Sequence, residues 1–482
     1  MDEFYGIDFG TTNSAMVSVN KSGVITQFGD TEGQPYPSVV AINKTDGKVH
    51  MIGREAKDNR ESLRDDFEII TSVKSILGTG KTWNLGDRTW HPYEIAAEIL
   101  KGLKSEIVKR RRVDLRDATI AIPVGFSTIK RKDLRRAAKL ANINISAFVS
   151  EPTAAVYNHF EKVKKWGKVA VFDWGGGTID ISIVEIDDGV IHELATSGMP
   201  LGGDDLDHKI AEWAHNQIMR KSPKIVNQLA SMSPEYKDDL IVKSEWAKIL
   251  MASQRKSEIA THKHPHAVPI TLDNKTFLEL VRPEYDHVLK ELRNTITNNA
   301  KCAIEEIGCI LMVGGSSKIL GLYDRMVRDF DCEVLAPDRE KADWDIAAGA
   351  AKLNKGSGSF IISNTVGLIL SDGTFFKLLN KGDRVNGDKR SIEFGLIEDT
   401  DNARFVFAEL KDSRFKDTSP DPSRVGYLTV KAFGFSNESI KLNFGIDEDL
   451  VLNVTAKSSN KSRLSEETWN YENLTFVYKL PQ

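Results

Sequence analysis

Ile7-Asp8-Phe9-Gly10-Thr11-Thr12-Asn13-Ser14-Ala15-Met16-Val17 and Phe172-Asp173-Trp174-Gly175-Gly176-Gly177-Thr178-Ile179-Asp180-Ile181-Ser182 follow one plan. In each, an apolar strand ends in Asp, a Gly/Thr-rich turn follows, and the chain enters a second strand instead of a helix. A turn built this way suits phosphate. Glycine has no Cβ, so backbone N–H groups close around anionic oxygens, and Thr or Ser hydroxyls add donors. Asp8, Asp173 and Asp180 would face a metal. Mg2+ fits, because it keeps several waters and is held by few carboxylates together with substrate phosphates. Two facing hairpins would grip one polyphosphate, which implies two lobes of related design.

Working outward, the first 353 residues alternate β-like runs with amphipathic helical segments at Tyr93 to Arg111, Lys130 to Asn142, Lys209 to Met219 and Pro283 to Glu306, a pattern of α/β layers. Ile310 to Val313 is an apolar strand ending in Gly314-Gly315-Ser316-Ser317 before a helix expected from Ile319 to Arg328. Those glycines let a nucleoside approach the backbone, although the same step is also common as plain packing. Asn354-Lys355-Gly356-Ser357-Gly358-Ser359 is small and polar and marks a boundary. Beyond it, short alternating runs at 367–370, 374–379, 404–410, 426–433 and 450–457 read as an all-β module. The expected division is residues 1–354, a linker at 355–364, and 365–482.

Composition removes several classes of function. The 65 Lys+Arg and 69 Asp+Glu give a net charge of -4, which offers no general attraction to nucleic acid or an anionic membrane. Cys302, Cys309 and Cys332 lack the spacing of a zinc site or disulfide framework. No run approaches the roughly 18 apolar residues of a spanning helix, and the N-terminus has no targeting pattern, so the expected location is cytoplasmic. Gly78-Thr79-Gly80-Lys81-Thr82 ends like a phosphate-binding P-loop, but Ser75 stands where that pattern needs Gly. Gly175 to Gly177 precedes a strand, which excludes a dinucleotide fingerprint. His262, His264 and His266 sit in a Lys- and Pro-interrupted loop and read as solvent-facing. The basic runs 109–112 and 130–132 read as solvated helix faces.

In order along most of the chain, the residues resemble the heat-shock 70 kDa chaperone family, an actin-like ATPase group. Gly6 to Ser14 and Phe172 to Asp180 resemble its two phosphate signatures. Ile122-Pro123, Phe126, Arg131, Glu151-Pro152-Thr153-Ala154-Ala155, Leu201-Gly202-Gly203-Asp204-Asp205, Val313-Gly314-Gly315-Ser316, and Asp343 through Ala347-Ala348-Gly349-Ala350-Ala351 also match. The resemblance implies a two-lobed α/β actin-like ATPase domain followed by a small β-sandwich that binds polypeptide. It implies ATP or ADP and Mg2+ as ligands, with Asp8 and Asp173 organising the metal mostly through water.

The same resemblance places Gly10, Thr11, Thr12, Asn13 and Gly175, Gly176, Gly177, Thr178 on phosphate, and makes Lys74 the catalytic lysine. Glu151 would lie beside the metal-bound water, with Asp8, Asp173 and Thr178 completing the hydrolytic group. Gly202, Gly203, Glu245, Lys248, Gly314, Gly315, Ser316, Lys318 and Asp343 would line the nucleotide site. Pro123 and Arg131 resemble elements that report nucleotide state. A J-domain protein and an exchange factor are the implied partners, besides unfolded or dedicated polypeptide.

Several positions depart from the family pattern. Ile249 and Ala252 replace an Arg and a Ser, and Lys318 replaces an adenine-stacking Arg, which predicts weaker or less selective adenine binding. The segment between Lys74 and Pro123 is short, and neither the acidic, Leu-rich linker nor a helical lid is found. The resemblance in the β module rests chiefly on Asp447 to Ala456. A nucleotide-dependent scaffold with slow or no hydrolysis and one dedicated partner is the alternative; a small-molecule kinase lacks an evident acceptor site.

Overall fold

The computed structural model describes every residue except 1–2, 112–114, 337, 339, 357–358, 386, 397–400, 411–421, 434–437, 461–462, 464 and 481–482. Arg112 of the first basic run, and Ser357 and Gly358 of the expected linker, lie outside the described residues. The chain divides into two compact units: residues 1–125, 133–188 and 192–356 form one, and 126–132, 189–191 and 357–482 the other.

The larger unit is mixed α/β, and two of its sheets repeat a strand pattern. In the first, Glu3–Asp8 pairs antiparallel with Asn13–Asn20 on one side and parallel with Asp117–Ile122 on the other, which runs parallel to Asn144–Ser150. In the second, Lys168–Trp174 pairs antiparallel with Ile179–Asp187 and parallel with Cys309–Val313, which runs parallel to Glu333–Leu335. Parallel neighbours buried on both faces demand continuous apolar strands. Cys309–Val313 is accordingly buried at every residue.

Helix Asp345–Lys355 joins the first sheet to the helix Glu151–Asn158. Its small residues permit this: a Cβ on Gly6 would meet Ala347 O at 2.2 Å, and one on Gly349 would meet Ala154 O at 1.9 Å. The run of Ala and Gly read from the sequence is therefore a close-packing surface. Around the second sheet a large core forms from helices Gly203–Lys221, Pro234–Met251 and Asn274–Asn294, with Trp174, Tyr236, Phe277 and Tyr285 among its largest buried rings.

Some element bounds differ from expectation. The segment expected at Pro283 to Glu306 is helix Asn274–Asn294, with Pro283 inside it, followed by one π-helical turn at Thr295–Asn299. Asp273 sets the start, its side chain accepting from Thr276 N at 2.8 Å. The buried stripe Phe277, Val281, Tyr285, Val288, Leu289 and Leu292 outweighs the hydrogen bond that Pro283 forgoes. The helix expected at Ile319 to Arg328 is a 3-10 turn, Gly315–Lys318, then Leu322–Asp329, because Gly321 intervenes at φ +82.

In the smaller unit, two four-stranded antiparallel sheets share one apolar core. One contains Phe375–Leu379, Thr365–Ile369, Asn402–Leu410 and Ser423–Lys431; the other contains Arg390–Gly395, Ser439–Ile446, Leu452–Ser458 and Glu466–Tyr471. Phe407 stacks on Trp469 at 4.1 Å between ring centroids, one of the contacts that joins them. Ser359–Ile362 pairs with Phe476–Lys479.

Candidate functional site

The two Gly/Thr turns lie within the larger unit and come close together. In the first, Ser38 donates its N–H to Thr12 O at 2.9 Å and its hydroxyl to Gly10 O at 2.9 Å. The turn is so tight that a Cβ on Gly10 would meet Asn13 O at 1.9 Å. In the second, Gly175 N donates to Thr178 O at 2.9 Å, while Gly203 N and Asp204 N donate to Gly175 O and Gly176 O at 3.1 and 2.8 Å. Ser316 Oγ adds a bond to Gly175 O at 2.8 Å. A Cβ on Gly176 would meet Thr12 Oγ1 at 2.7 Å, and Thr12 Oγ1 donates to Asp204 Oδ2 at 3.5 Å. Gly202 is held by its N–H to Asp205 Oδ2 at 2.7 Å, and a Cβ there would strike Gly176 O at 2.0 Å.

Behind the turns is a group of acids with one ammonium among them. Lys74 sits in a four-residue helix, Val73–Ile76, entered through Ser72 in the left-handed region at φ 55. Its Nζ donates to Glu151 Oε1 at 2.6 Å, and both side chains are buried. Glu151 opens helix Glu151–Asn158, whose cap is Ser150, accepting from Thr153 N at 3.3 Å. Burial by itself would lower the Lys74 pKa, but Glu151, Asp8 and Asp180 hold it above the ordinary lysine value.

Burial pushes the Asp8 carboxyl up to about 7, against the pull of Lys74 and with a further push from Glu151. Burial also raises Asp173 well above the usual range, reinforced by Glu151, Asp180 and Asp8, and raises Asp180 to about 6. Thr178 Oγ1 donates to Asp180 Oδ2 at 3.2 Å. A small cavity beside the group is lined in part by Pro123, Glu151, Asp173, Asp180, Thr196 and Val313. Four carboxyls against one lysine is an uncompensated arrangement, one that a divalent cation would neutralise. Among the described residues no group of three or more His, Cys, Asp or Glu is placed to hold an ion directly.

A second cluster lies on the other side of the glycines. Lys248 Nζ donates to Gly203 O and to Asp207 Oδ2, each at 2.8 Å, and a Cβ on Gly203 would meet Ser316 Oγ at 2.5 Å and Lys248 Nζ at 2.9 Å. Burial raises Asp207 to about 7, with Lys248 opposing it. Lys57 reaches Glu245 Oε1 at 2.9 Å. Lys318 pairs with Asp343, whose Oδ1 lies 2.7 Å from where a Cβ on Gly315 would stand. Gly314 is at φ +82 against Asp173 Oδ1, so no L side chain fits there. Ile249 is 54% exposed.

The sequence-derived residues thus fall into two connected groups. Asp8, Thr12, Lys74, Glu151, Asp173 and Gly175 to Thr178 surround the turns, and Gly202, Gly203, Glu245, Lys248, Gly314 to Ser316, Lys318 and Asp343 surround the second cluster. Thr11 flanks Gly177, its methyl 3.8 Å from a Cβ built there, and Asn13 begins the strand after the first turn. Lys57, Ser38 and Asp207 were not anticipated. Asp207 was visible, three positions after Asp204 on one helix face; Lys57 and Ser38 carry no local signal. Arg131 belongs to the smaller unit, where Nε donates to Asp449 O at 2.7 Å. Lys81 of the P-loop-like run is exposed and lies over the Trp83 ring at 5.0 Å. His262 and His266 are exposed, and His264 packs edge-on to Tyr236.

The family model described as Hsp70 protein matches residues 80–474. Similar proteins include the Chaperone protein DnaK of Thermosipho africanus (strain TCF52B), 31% identical over 358 residues, which is 72% of this chain and 58% of that protein. The Chaperone protein DnaK of Thermosipho melanesiensis (strain DSM 12029 / CIP 104789 / BI429) is 30% identical, with the same coverage of both. The chain belongs to the Hsp70 family. It spans 58% of the length of these relatives. Among the described residues, no helix is long and apolar enough to cross a membrane.

Proposed function

We propose that this chain is an ATP-hydrolysing chaperone of the Hsp70 family. In this reading residues 1–354 form an actin-like, two-lobed nucleotide domain, 355–364 a linker, and 365–482 a β-sandwich that holds an extended polypeptide by strand-like backbone contacts. The observation that carries it is the buried Lys74–Glu151 pair set among Asp8, Asp173 and Asp180, beside two facing Gly/Thr turns. The carbonyls of the second turn are engaged by Gly203, Asp204 and Ser316, so an anion approaching it meets the amides.

Mg2+ would be held by Asp8 and Asp173 mostly through water and would supply charge neutralisation at the phosphates. Lys74 stabilises charge developing on the γ-phosphoryl group and orients the attacking water, and Glu151 holds its ammonium in place. Thr178, whose hydroxyl donates to Asp180, would offer its oxygen to the same water. Gly202, Gly203, Glu245, Lys248, Gly314 to Ser316, Lys318 and Asp343 bind the nucleoside.

The relatives carry the name Chaperone protein DnaK; from the family resemblance a J-domain protein and an exchange factor are proposed as partners, and cytoplasmic residence is proposed from the sequence. Stress response belongs to the same reading. The scaffold alternative draws on the exposed Ile249 and on Lys318 being occupied by Asp343, both of which weaken the grip on adenine. Steady-state ATPase with and without an unfolded polypeptide separates the two. Measurable hydrolysis stimulated by polypeptide supports the chaperone; tight nucleotide binding with no turnover supports the scaffold.

A further inference from the structure

Ser150 and Thr153 form the first turn of the helix that Glu151 opens, and both are nearly inaccessible. A serine cap needs only its oxygen to satisfy Thr153 N, which leaves its proton for another acceptor. That acceptor is Glu193, on the strand Val190–Met199. The same carboxylate oxygen, Oε1, also accepts from Thr153 Oγ1 at 2.9 Å. Burial holds the Glu193 pKa above the usual carboxylate range, against the pull of the two hydroxyls. Among the described residues no Lys, Arg or His forms an ion pair with it.

A half-buried carboxylate without a cation is costly, and an apolar residue would fill the space as well. What the carboxylate adds is a fixed acceptor for two hydroxyls on either side of Glu151. A negative group at a helix N-terminus also suits the helix dipole. The strand bearing Glu193 lies beside Ile179–Asp187, which carries Asp180, so this clamp ties the second hairpin to the first turn of the Glu151 helix.

We infer that Glu193 is a positioning residue: through Ser150 and Thr153 it fixes the first turn of the helix and so the Glu151 carboxylate that holds Lys74. This rests on the reading of Lys74 and Glu151 as hydrolytic residues. Glu193 touches no substrate; its effect is on the placement of the lysine.

The test is steady-state ATP hydrolysis by the full chain and by Glu193→Ala and Glu193→Gln, with thermal midpoints and the 15Nζ resonance of Lys74 recorded for each. Glu193→Ala should lower kcat by about tenfold or more while KM stays within about twofold, the pattern of a misplaced group. It should also shift the Lys74 resonance. Glu193→Gln, whose amide oxygen still accepts from both hydroxyls, should restore kcat and resonance. Unchanged kcat and resonance in Glu193→Ala would overturn the inference, as would a loss that Gln does not restore and that follows a lowered midpoint. If the wild type hydrolyses no ATP, the proposed function fails by itself. The resonance then decides for Glu193: a shift reversed by Gln supports it, and no shift refutes it.

Discussion

Lys74 Nζ and Glu151 Oε1 meet at 2.6 Å although 77 positions separate them in the chain. The lysine reaches this place from a four-residue helix, and the glutamate from the first position of another helix whose packing depends on Gly349. A buried pair of this kind contributes little to stability on balance, because both ions lose their hydration. Its presence among further carboxylates is better explained by a ligand that brings charge to the site.

The acids should make the nucleotide-free protein more stable at low pH. Asp8 rises from 3.8 to about 7 and Asp180 from 3.8 to about 6. Folded carboxyls with raised pKa values bind more protons than unfolded ones between those limits, so their contribution is complete below about 4 and is lost as pH rises to about 7. The thermal midpoint, measured without nucleotide, should fall across this window, and the fall should be smaller in Asp8→Asn. An Asp8→Asn profile that parallels the wild type would contradict this.

The glycines of the site should differ in tolerance. In Gly202→Ala the added methyl meets backbone, Gly176 O at 2.0 Å and Gly177 N at 2.6 Å, so the second turn must move. In Gly203→Ala it meets the ends of two side chains, Ser316 Oγ and Lys248 Nζ. Denaturant unfolding should show a loss of about 2–3 kcal/mol or more for Gly202→Ala, in the upper range of overpacking, and about 1 kcal/mol for Gly203→Ala. Nucleotide affinity should fall in both.

How much of this was legible in the sequence depended on how local each signal was. Both Gly/Thr turns could be read because strand, Asp and turn are contiguous, and the repeated sheet pattern follows from them. The alternation Ile440, Leu442, Phe444, Ile446 is equally local, yet that strand is not among the runs expected from sequence, nor are Arg390–Gly395, Glu466–Tyr471 and Phe476–Lys479. Arg390–Gly395 alternates too, with Ile392 and Phe394 half-buried between exposed neighbours, but two apolar positions make a weak signal. In sequence Pro283 reads as a helix start, whereas side-chain packing carries the helix through it. Nothing local in the sequence marks Lys74, because its burial depends on Glu151, 77 positions away; the family resemblance alone points to it.

Adenine recognition should improve when planar cations are restored. Ile249 is exposed and Lys318 is paired with Asp343. An Arg at either position offers a flat guanidinium for stacking, worth about 1 kcal/mol at a partly exposed site. The double variant Ile249→Arg/Lys318→Arg should therefore bind ATP about 30-fold more tightly by calorimetry, and prefer it more strongly over GTP. Equal affinity in variant and wild type would show that adenine is not held between these positions.

In the proposed function Lys74 acts on the phosphoryl group and leaves nucleotide binding largely to other residues. The direct measurement is single-turnover ATP hydrolysis by Lys74→Ala beside its nucleotide affinity, both compared with the wild type. Hydrolysis should fall by about 100-fold or more, as for other removed electrostatic groups, with affinity within about threefold. Hydrolysis at the wild-type rate in Lys74→Ala, or loss of binding in step with loss of turnover, would contradict it.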